Sequence, residues 1–333
     1  MKGVAEITID EMAKHLGVSK STVSRALSGK GRIGEATRIK IQTFAKEQGG
    51  WVEKIQETKI TATQNIGVVI PTDAYSINVP FFQECLLGIS EMATMLKYNV
   101  LITVGEVNDI SGVQTLVENK KVDGMILLRG VENDRLLKYL TDIHFPTGLA
   151  GTCEYKDVIQ VDTDNRAAAE TMVSLLISQG YRRFAMVVGI VSYEVNKSRC
   201  QGYYDALDKN GLDRANQMFY PNFIHMELID SIIADIFAGK IECIICGDVV
   251  ICTKIMSRLQ AEGYRIPRDI SIVSLYNSTN LDCFSPAVTA VSISARQVGN
   301  VLGNQLINCL RGDTYNAKTL LGHDILLRKS VGK

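Results

Sequence analysis

From Asn65 onward the chain repeats one pattern, a short apolar run rich in β-branched residues followed by a longer segment of helical periodicity. IGVVIP is followed by a helical stretch from Phe81 to Lys97 and then NVLITV. Helix 109–120, DGMILL, helix 132–141 and FPTGLA continue the alternation. Strands separated by helices do not pair as tight hairpins, so they are expected to lie parallel, with helices on both faces of the sheet. A second series begins after VIQVDTDN: helix 165–179, FAMVVG, helices 195–210 and 227–238, ECIICG, helix 249–262 and ISIVSL, with VTAVS and helix 294–310 behind it. Two such series exceed a single core and predict a two-lobed α/β body built on two doubly wound parallel sheets. Such a body binds ligands at the carboxyl ends of its strands, in the cleft.

The first 48 residues read differently. They carry nine Lys and Arg against five Asp and Glu, in a chain whose overall formal charge is zero. The cationic excess that meeting phosphates requires is therefore confined to this segment. Thr8 or Asp10 can cap a short helix with Ile9, Met12, Ala13 and Leu16 on its apolar face, ended by Gly17. After a three-residue turn, Ser19 caps a second helix with Val23, Ala26 and Leu27 inward and Lys20, Ser21, Thr22, Ser24 and Arg25 outward. A third amphipathic helix, Glu35 to Glu47, is expected to bury Ile39, the stem of Ile41 or Gln42, Phe44 and Ala45. The spacing is that of a small all-α helix-turn-helix domain. Its outward face starts at a helix N-terminus suited to phosphate, and Lys20, Ser21 and Arg25 can reach base edges.

Other classes find little support. The N-terminal MKGVAEITID is polar and no apolar run approaches the ~20 residues of a membrane span, so a cytoplasmic location with no membrane partner is expected. The eight cysteines lie mostly in apolar runs and read as reduced core thiols. Cys243 and Cys246 form a CxxC with no second pair or histidine cluster nearby, which gives no metal site. His15, His144, His225 and His323 are scattered, and no nucleophile elbow, phosphate loop or zinc-protease motif is present. Neither an enzyme nor a cofactor is expected.

The run VSKSTVSRALSGKGRIGEATRIKI resembles the headpiece of the LacI/GalR repressor family, including its VSxxTVSRxL core and the following TR. By that resemblance Lys20, Ser21 and Arg25 fall on base-reading positions, and Thr8, Ser19, Thr22 and Ser24 on positions that contact or approach phosphate. Further blocks resemble the family's sensor in order: VPFFQECLLGIS, VDGMIL, VDTDNRAAAETMVSLLISQGYRRFAMVVG, the RCQGYYDAL run and EGYRIPRDISIVSLYNST. The resemblance implies a periplasmic-binding-protein-like type I body whose chain crosses between lobes three times. It divides the chain into a headpiece, 1–48, a linker, 49–64, a first lobe, 65–163 plus 292–322, and a second lobe, 164–291 plus 323–333. The linker departs from the family: QGGWVEKIQETKITATQN has neither proline nor an Ala-Arg hinge pair. Trp51 and Ile55 can pack on a neighbouring domain, while Ile55 or Ile60 can wedge into a minor groove.

For an effector, the resemblance points to Arg199 as a clamp for hydroxyls or an anionic group. It also points to Asp248, which can face the cleft or cap the following helix. The family's Gly-aromatic-Asp-Asp turn stands here as Ser274, Leu275, Tyr276 and Asn277, and an Asn common in sugar binders is Gly247. These departures argue against a simple neutral hexose. Asp73, Tyr75, Phe81 and Phe82 follow the first strand, where an aromatic can stack on a flat ligand or a sugar face. At the lobe crossover Asp162 can face the cleft while Asp164 caps a helix. The resemblance also implies a homodimer on a pseudo-palindromic double-stranded DNA operator, with the first-lobe helix that contains Leu86, Leu87 and Ile89 at or near the dimer contact, and a small-molecule effector, a carbohydrate or related metabolite.

Overall fold

The computed structural model describes residues 9–28, 33–47, 62–73, 76–105, 109–223 and 227–332. Thr8, Tyr75 and the linker residues Trp51, Ile55 and Ile60 lie outside them. The chain divides between Ala62 and Thr63 into two units.

In the first unit, α1 (Ile9–Leu16), α2 (Lys20–Ser28) and α3 (Glu35–Glu47) enclose a small core of Met12, Ala13, Val23, Ala26, Leu27, Ile41 and Ala45. Gly17 closes α1 with φ +64°, a left-handed conformation that suits glycine. The Ser19 hydroxyl then accepts from the Thr22 amide at 3.1 Å, capping α2 as expected. The third helix differs from expectation in one position: Ile39 is 57% exposed, and the inward face is carried by Ile41, Phe44 and Ala45.

In the second unit, the first sheet runs Lys318–Leu321 (β11), Ile159–Thr163 (β5), Thr147–Ala150 (β4), Gly124–Leu127 (β3), Asn65–Ile70 (β1), Asn99–Val104 (β2), all parallel. The second runs Asp324–Leu326 (β12), Thr289–Ser292 (β10), Ser271–Ser274 (β9), Cys243–Cys246 (β8), Phe184–Val187 (β6), Met218–Tyr220 (β7). It is parallel except for β12, which pairs antiparallel with β10. Strands β3, β4, β6, β8 and β9 are buried along their whole length, as parallel strands covered by helices on both faces must be. The chain passes from one sheet to the other after β5, after β10 and after β11. Cys243 packs into the core on one face of the second sheet and Cys246 into that on the other. Three residues apart on a strand, the two thiols point to opposite sides.

Helices α4 (Pro80–Met95) and α11 (Ala295–Arg311) pack together on the first sheet, while α7 (Asn165–Ser178) and α8 (Glu194–Lys209) pack together on the second. Both contacts depend on glycine. A Cβ at Gly299 would stand 2.0 Å from the Cys85 carbonyl oxygen, and one at Gly202 would stand 2.0 Å from that of Arg166. Along α4, Leu87 is 54% exposed, whereas Ile89 is completely buried in the core beneath α11.

Gly202→Ala is expected to lower the unfolding free energy by about 1–3 kcal/mol, because backbone must move to admit the methyl. Gly322→Ala, with nothing within 4 Å of the added carbon, should stay within ~0.5 kcal/mol of the parent. Denaturant titration of both variants checks the contrast, and equal stabilities would show that the α7–α8 contact is not close-packed.

Candidate DNA-reading surface and ligand cleft

Helix α2 divides cleanly. Val23, Ala26 and Leu27 face the three-helix core, and Lys20, Ser21, Ser24 and Arg25 are exposed, with Thr22 half-buried. At the helix start the Ser19, Ser21 and Thr22 hydroxyls form one cluster, Ser19 Oγ lying 2.8 Å from Ser21 Oγ and 2.7 Å from Thr22 Oγ1. Six of the seven residues read as DNA contacts thus lie on one short stretch of one helix and its cap. Thr8 lies outside the described residues. The stacking of His15 on Phe44, centroids 4.7 Å apart, ties α1 to α3 behind this face. Hydroxyls and cations at a helix N-terminus, held on a rigid three-helix base, can engage both phosphate oxygens and base edges.

In the second unit, residues beyond the carboxyl ends of β1, β3, β4, β8 and β9 meet α4, β5 and α8 around a cleft of about 740 Å³, counting its open mouth. Phe81, Phe82, Asp162, Arg199, Asp248 and Tyr276 all line it. Phe81 also stands edge-on to Phe82 at 5.7 Å and to Tyr276 of the opposite lobe at 6.2 Å.

The polar groups are unusual in how little water they keep. Arg199 is 6% exposed, its Nε has no hydrogen-bond partner, and burial pulls its pKa down to about 10 against the opposing charge of Asp162. Burial pushes Asp162 up to about 6, although its Oδ1 accepts from the Thr163 amide at 2.7 Å and the Asn165 amide group at 3.1 Å and Arg199 lies nearby. Asp248, 4% exposed, is likewise pushed up to about 6 by burial, against donation from the Val250 and Ile251 amides at 2.8 and 3.1 Å. Asp248 therefore both caps α10 (Val249–Ala261) and lines the cleft. Asp164 caps α7 through the Ala167 amide.

Asp73 differs from expectation. It is not a cleft-lining residue: one carboxylate oxygen accepts from the Ser76 amide at 2.9 Å, and the other pairs with Arg129. Burial alone would raise its pKa, but hydrogen bonds from Ser76 and the Arg129 cation hold it below the ordinary carboxylate value. Its role is to fix Arg129, which does line the cleft, also donates to the Ser76 hydroxyl oxygen at 2.8 Å and stacks over the Tyr193 ring at 4.2 Å. Arg129 and Tyr193 were missed from sequence. Position just past β3 was the available signal for Arg129, since strand carboxyl ends build such sites. Tyr193 precedes α8 and carried none.

A helix-turn-helix unit joined in one chain to a two-lobed α/β body is the architecture of a DNA-binding transcriptional regulator. Residues 8–49 match the family of bacterial regulatory proteins of the lacI type, and residues 173–331 match the periplasmic binding protein-like domain. The chain is 32% identical to the HTH-type transcriptional regulator MalR of Streptococcus pneumoniae over 64% of its own length, spanning 66% of that relative. It is 26% identical to catabolite control protein A of Priestia megaterium over 98% of this chain and 99% of that one. The structure of a probable maltose operon transcriptional repressor from a Staphylococcus superposes with a TM-score of 0.75 at 26% identity, covering 81% of this chain and 98% of that one. The chain belongs to the LacI family of transcriptional regulators, whose members are not enzymes.

The acids of the cleft make stability pH-dependent with a defined sign. Asp248 carries its proton up to about pH 6 in the folded chain, but only to about 4 when unfolded. The folded state then binds more protons in this window, so stability falls as pH rises from about 4 to 6. Asp248→Asn keeps a capping side chain and removes the titration. The loss of unfolding free energy between pH 4 and pH 7 should shrink by roughly 2–3 kcal/mol, read by denaturant titration at the two pH values. An unchanged difference would place the linkage elsewhere.

Proposed function

We propose that this chain is a sequence-specific transcriptional repressor, acting as a homodimer on a pseudo-palindromic double-stranded DNA operator under the control of a small-molecule effector. The observation that carries the DNA half is α2, which exposes Lys20, Ser21, Ser24 and Arg25 while Val23, Ala26 and Leu27 face the core. A helix so divided lies in a major groove with its N-terminal residues on base edges, and a two-fold dimer places two such helices in successive grooves. The effector half rests on Arg199, a buried guanidinium with an unsatisfied Nε at the wall of a cleft. Such a donor is expensive to keep without a partner, and an oxygen-rich ligand supplies one. A sugar or related metabolite fits this chemistry, and the similar probable maltose operon repressor supports it by name.

Selection of bound duplexes from a random library tests the reading, with the winner titrated against the full chain and a variant beginning at Thr63. A palindromic winner whose binding vanishes without the first unit is the expected result. No enrichment, with only weak binding steeply dependent on salt, would overturn sequence-specific recognition. On the selected duplex, Arg25→Ala should cost about 1–3 kcal/mol and relax preference at one base pair of each half-site. Unchanged selectivity would remove Arg25 from the reading positions.

A further inference from the structure

The two lobes are joined by three crossings of the chain and also by a contact that belongs to none of them. Residues 130–132, beyond β3 of the first lobe, lie antiparallel to residues 192–194, at the start of α8 in the second. Val131 bridges Tyr193, the Glu132 amide donates to the Ser192 carbonyl at 3.0 Å, and the Glu194 amide donates to the Gly130 carbonyl at 3.2 Å. This is a minimal two-stranded ladder whose strands come from different lobes. Side chains reinforce it from both ends. Arg129 lies 4.2 Å over the Tyr193 ring, while Lys197 Nζ, one turn into α8, reaches Glu132 at 2.9 Å and Glu194 at 3.2 Å. Arg129 is itself clamped by Asp73 and Ser76 of its own lobe, so the cation is presented across the cleft on a fixed arm.

We propose that this ladder is a latch that holds the lobes closed without any ligand, with Arg129 and Tyr193 as its positioning residues. The proposal rests on the reading of the second unit as a sensor and adds the element whose opening gates it. Arg129, Gly130, Tyr193 and Glu194 also form part of the cleft wall. The latch is thus built from the same residues that a ligand meets, and separation of the lobes must break the ladder. No cross-lobe backbone hydrogen bond can survive that motion, whereas the hydrogen bonds within each sheet are untouched by it. The amides of Glu132 and Glu194 are therefore direct reporters of opening.

Hydrogen exchange measured by mass spectrometry on the full chain tests this without an effector and without DNA, so failure of the regulatory reading leaves the result intact. Tyr193→Leu keeps an apolar side chain in the ladder and removes the ring under Arg129. Glu132→Gln removes the carboxylate that meets Lys197. Each is expected to raise exchange about tenfold at segments 130–132 and 192–194, with β3 and β6 exchanging as in the parent. Unchanged exchange at the ladder in both variants would overturn the latch. Faster exchange spread equally through β3 and β6 would also overturn it, because it would mark Tyr193 and Glu132 as supports of the fold rather than of closure.

Discussion

A parallel sheet covered by helices on both faces leaves its strands no solvated side, and that constraint arranges everything else in the second unit. Along β3, β4, β6, β8 and β9 every residue is buried, so a polar group in mid-strand would lose water with no ladder partner for its side chain. Polar chemistry is pushed to the strand ends. There the chain leaves the sheet for a helix, and an acid can be satisfied by the free amides of the next N-terminus, as Asp134, Asp164 and Asp248 are. Two sheets facing one another across their carboxyl ends then collect Arg129, Asp162, Arg199 and Asp248 in one space. The cleft follows from the layering before any ligand is considered.

The same physics decides what could be read from the residues alone. The covered strands announced themselves, because β-branched runs such as FAMVV and CIIC carry a strong signal and the helices between them have clear periodicity. The short edge strands did not. Met218–Tyr220, Lys318–Leu321 and Asp324–Leu326 are three or four residues long and partly exposed, and their pairing is decided by the neighbour rather than by composition. At the site, Arg199, Asp248 and Tyr276 were legible through the family blocks that contain them. Asp73 was misplaced because its carboxylate answers to Arg129, fifty-six residues away in sequence, and a contact of that kind leaves no local pattern. Ile39 was misplaced for the opposite reason: a short amphipathic helix offers two apolar registers, and packing against α1 and α2 selected the one through Ile41 and Ala45.

The charges of the cleft are held at a cost. Burial displaces Arg199, Asp162 and Asp248 all toward their neutral forms, and breaking such a group from its partner is costly in proteins generally. A purely structural core would replace them with apolar side chains of similar volume. In a cleft whose other walls include Phe81, Phe82 and Tyr276, such groups suit the proposed binding role, because desolvated, preorganised polar groups interact with a ligand far more strongly than hydrated ones. A ligand that supplied the missing partners would return the stability lost in the empty state as affinity.

That affinity becomes a signal only if it differs between open and closed lobes, since a ligand bound equally to both shifts neither. Here the difference is built in, because the lining residues come from both sides: Phe82 from the first lobe, Arg199 and Tyr276 from the second, and Asp162 at the crossing between them. A ligand touching all four keeps only part of its contacts once the lobes part. Moving a two-state equilibrium from 1:99 to 99:1 takes about 5.5 kcal/mol of differential affinity, and a charge-assisted hydrogen bond contributes roughly 1.5–3 kcal/mol. Two or three such bonds suffice, and the unpartnered Arg199 Nε is one ready donor. The Glu132–Ser192 and Glu194–Gly130 hydrogen bonds draw on the same balance. Each increment of closure they supply is one the ligand need not, so the latch determines how steeply the sensor responds and how weak a ligand can still switch it.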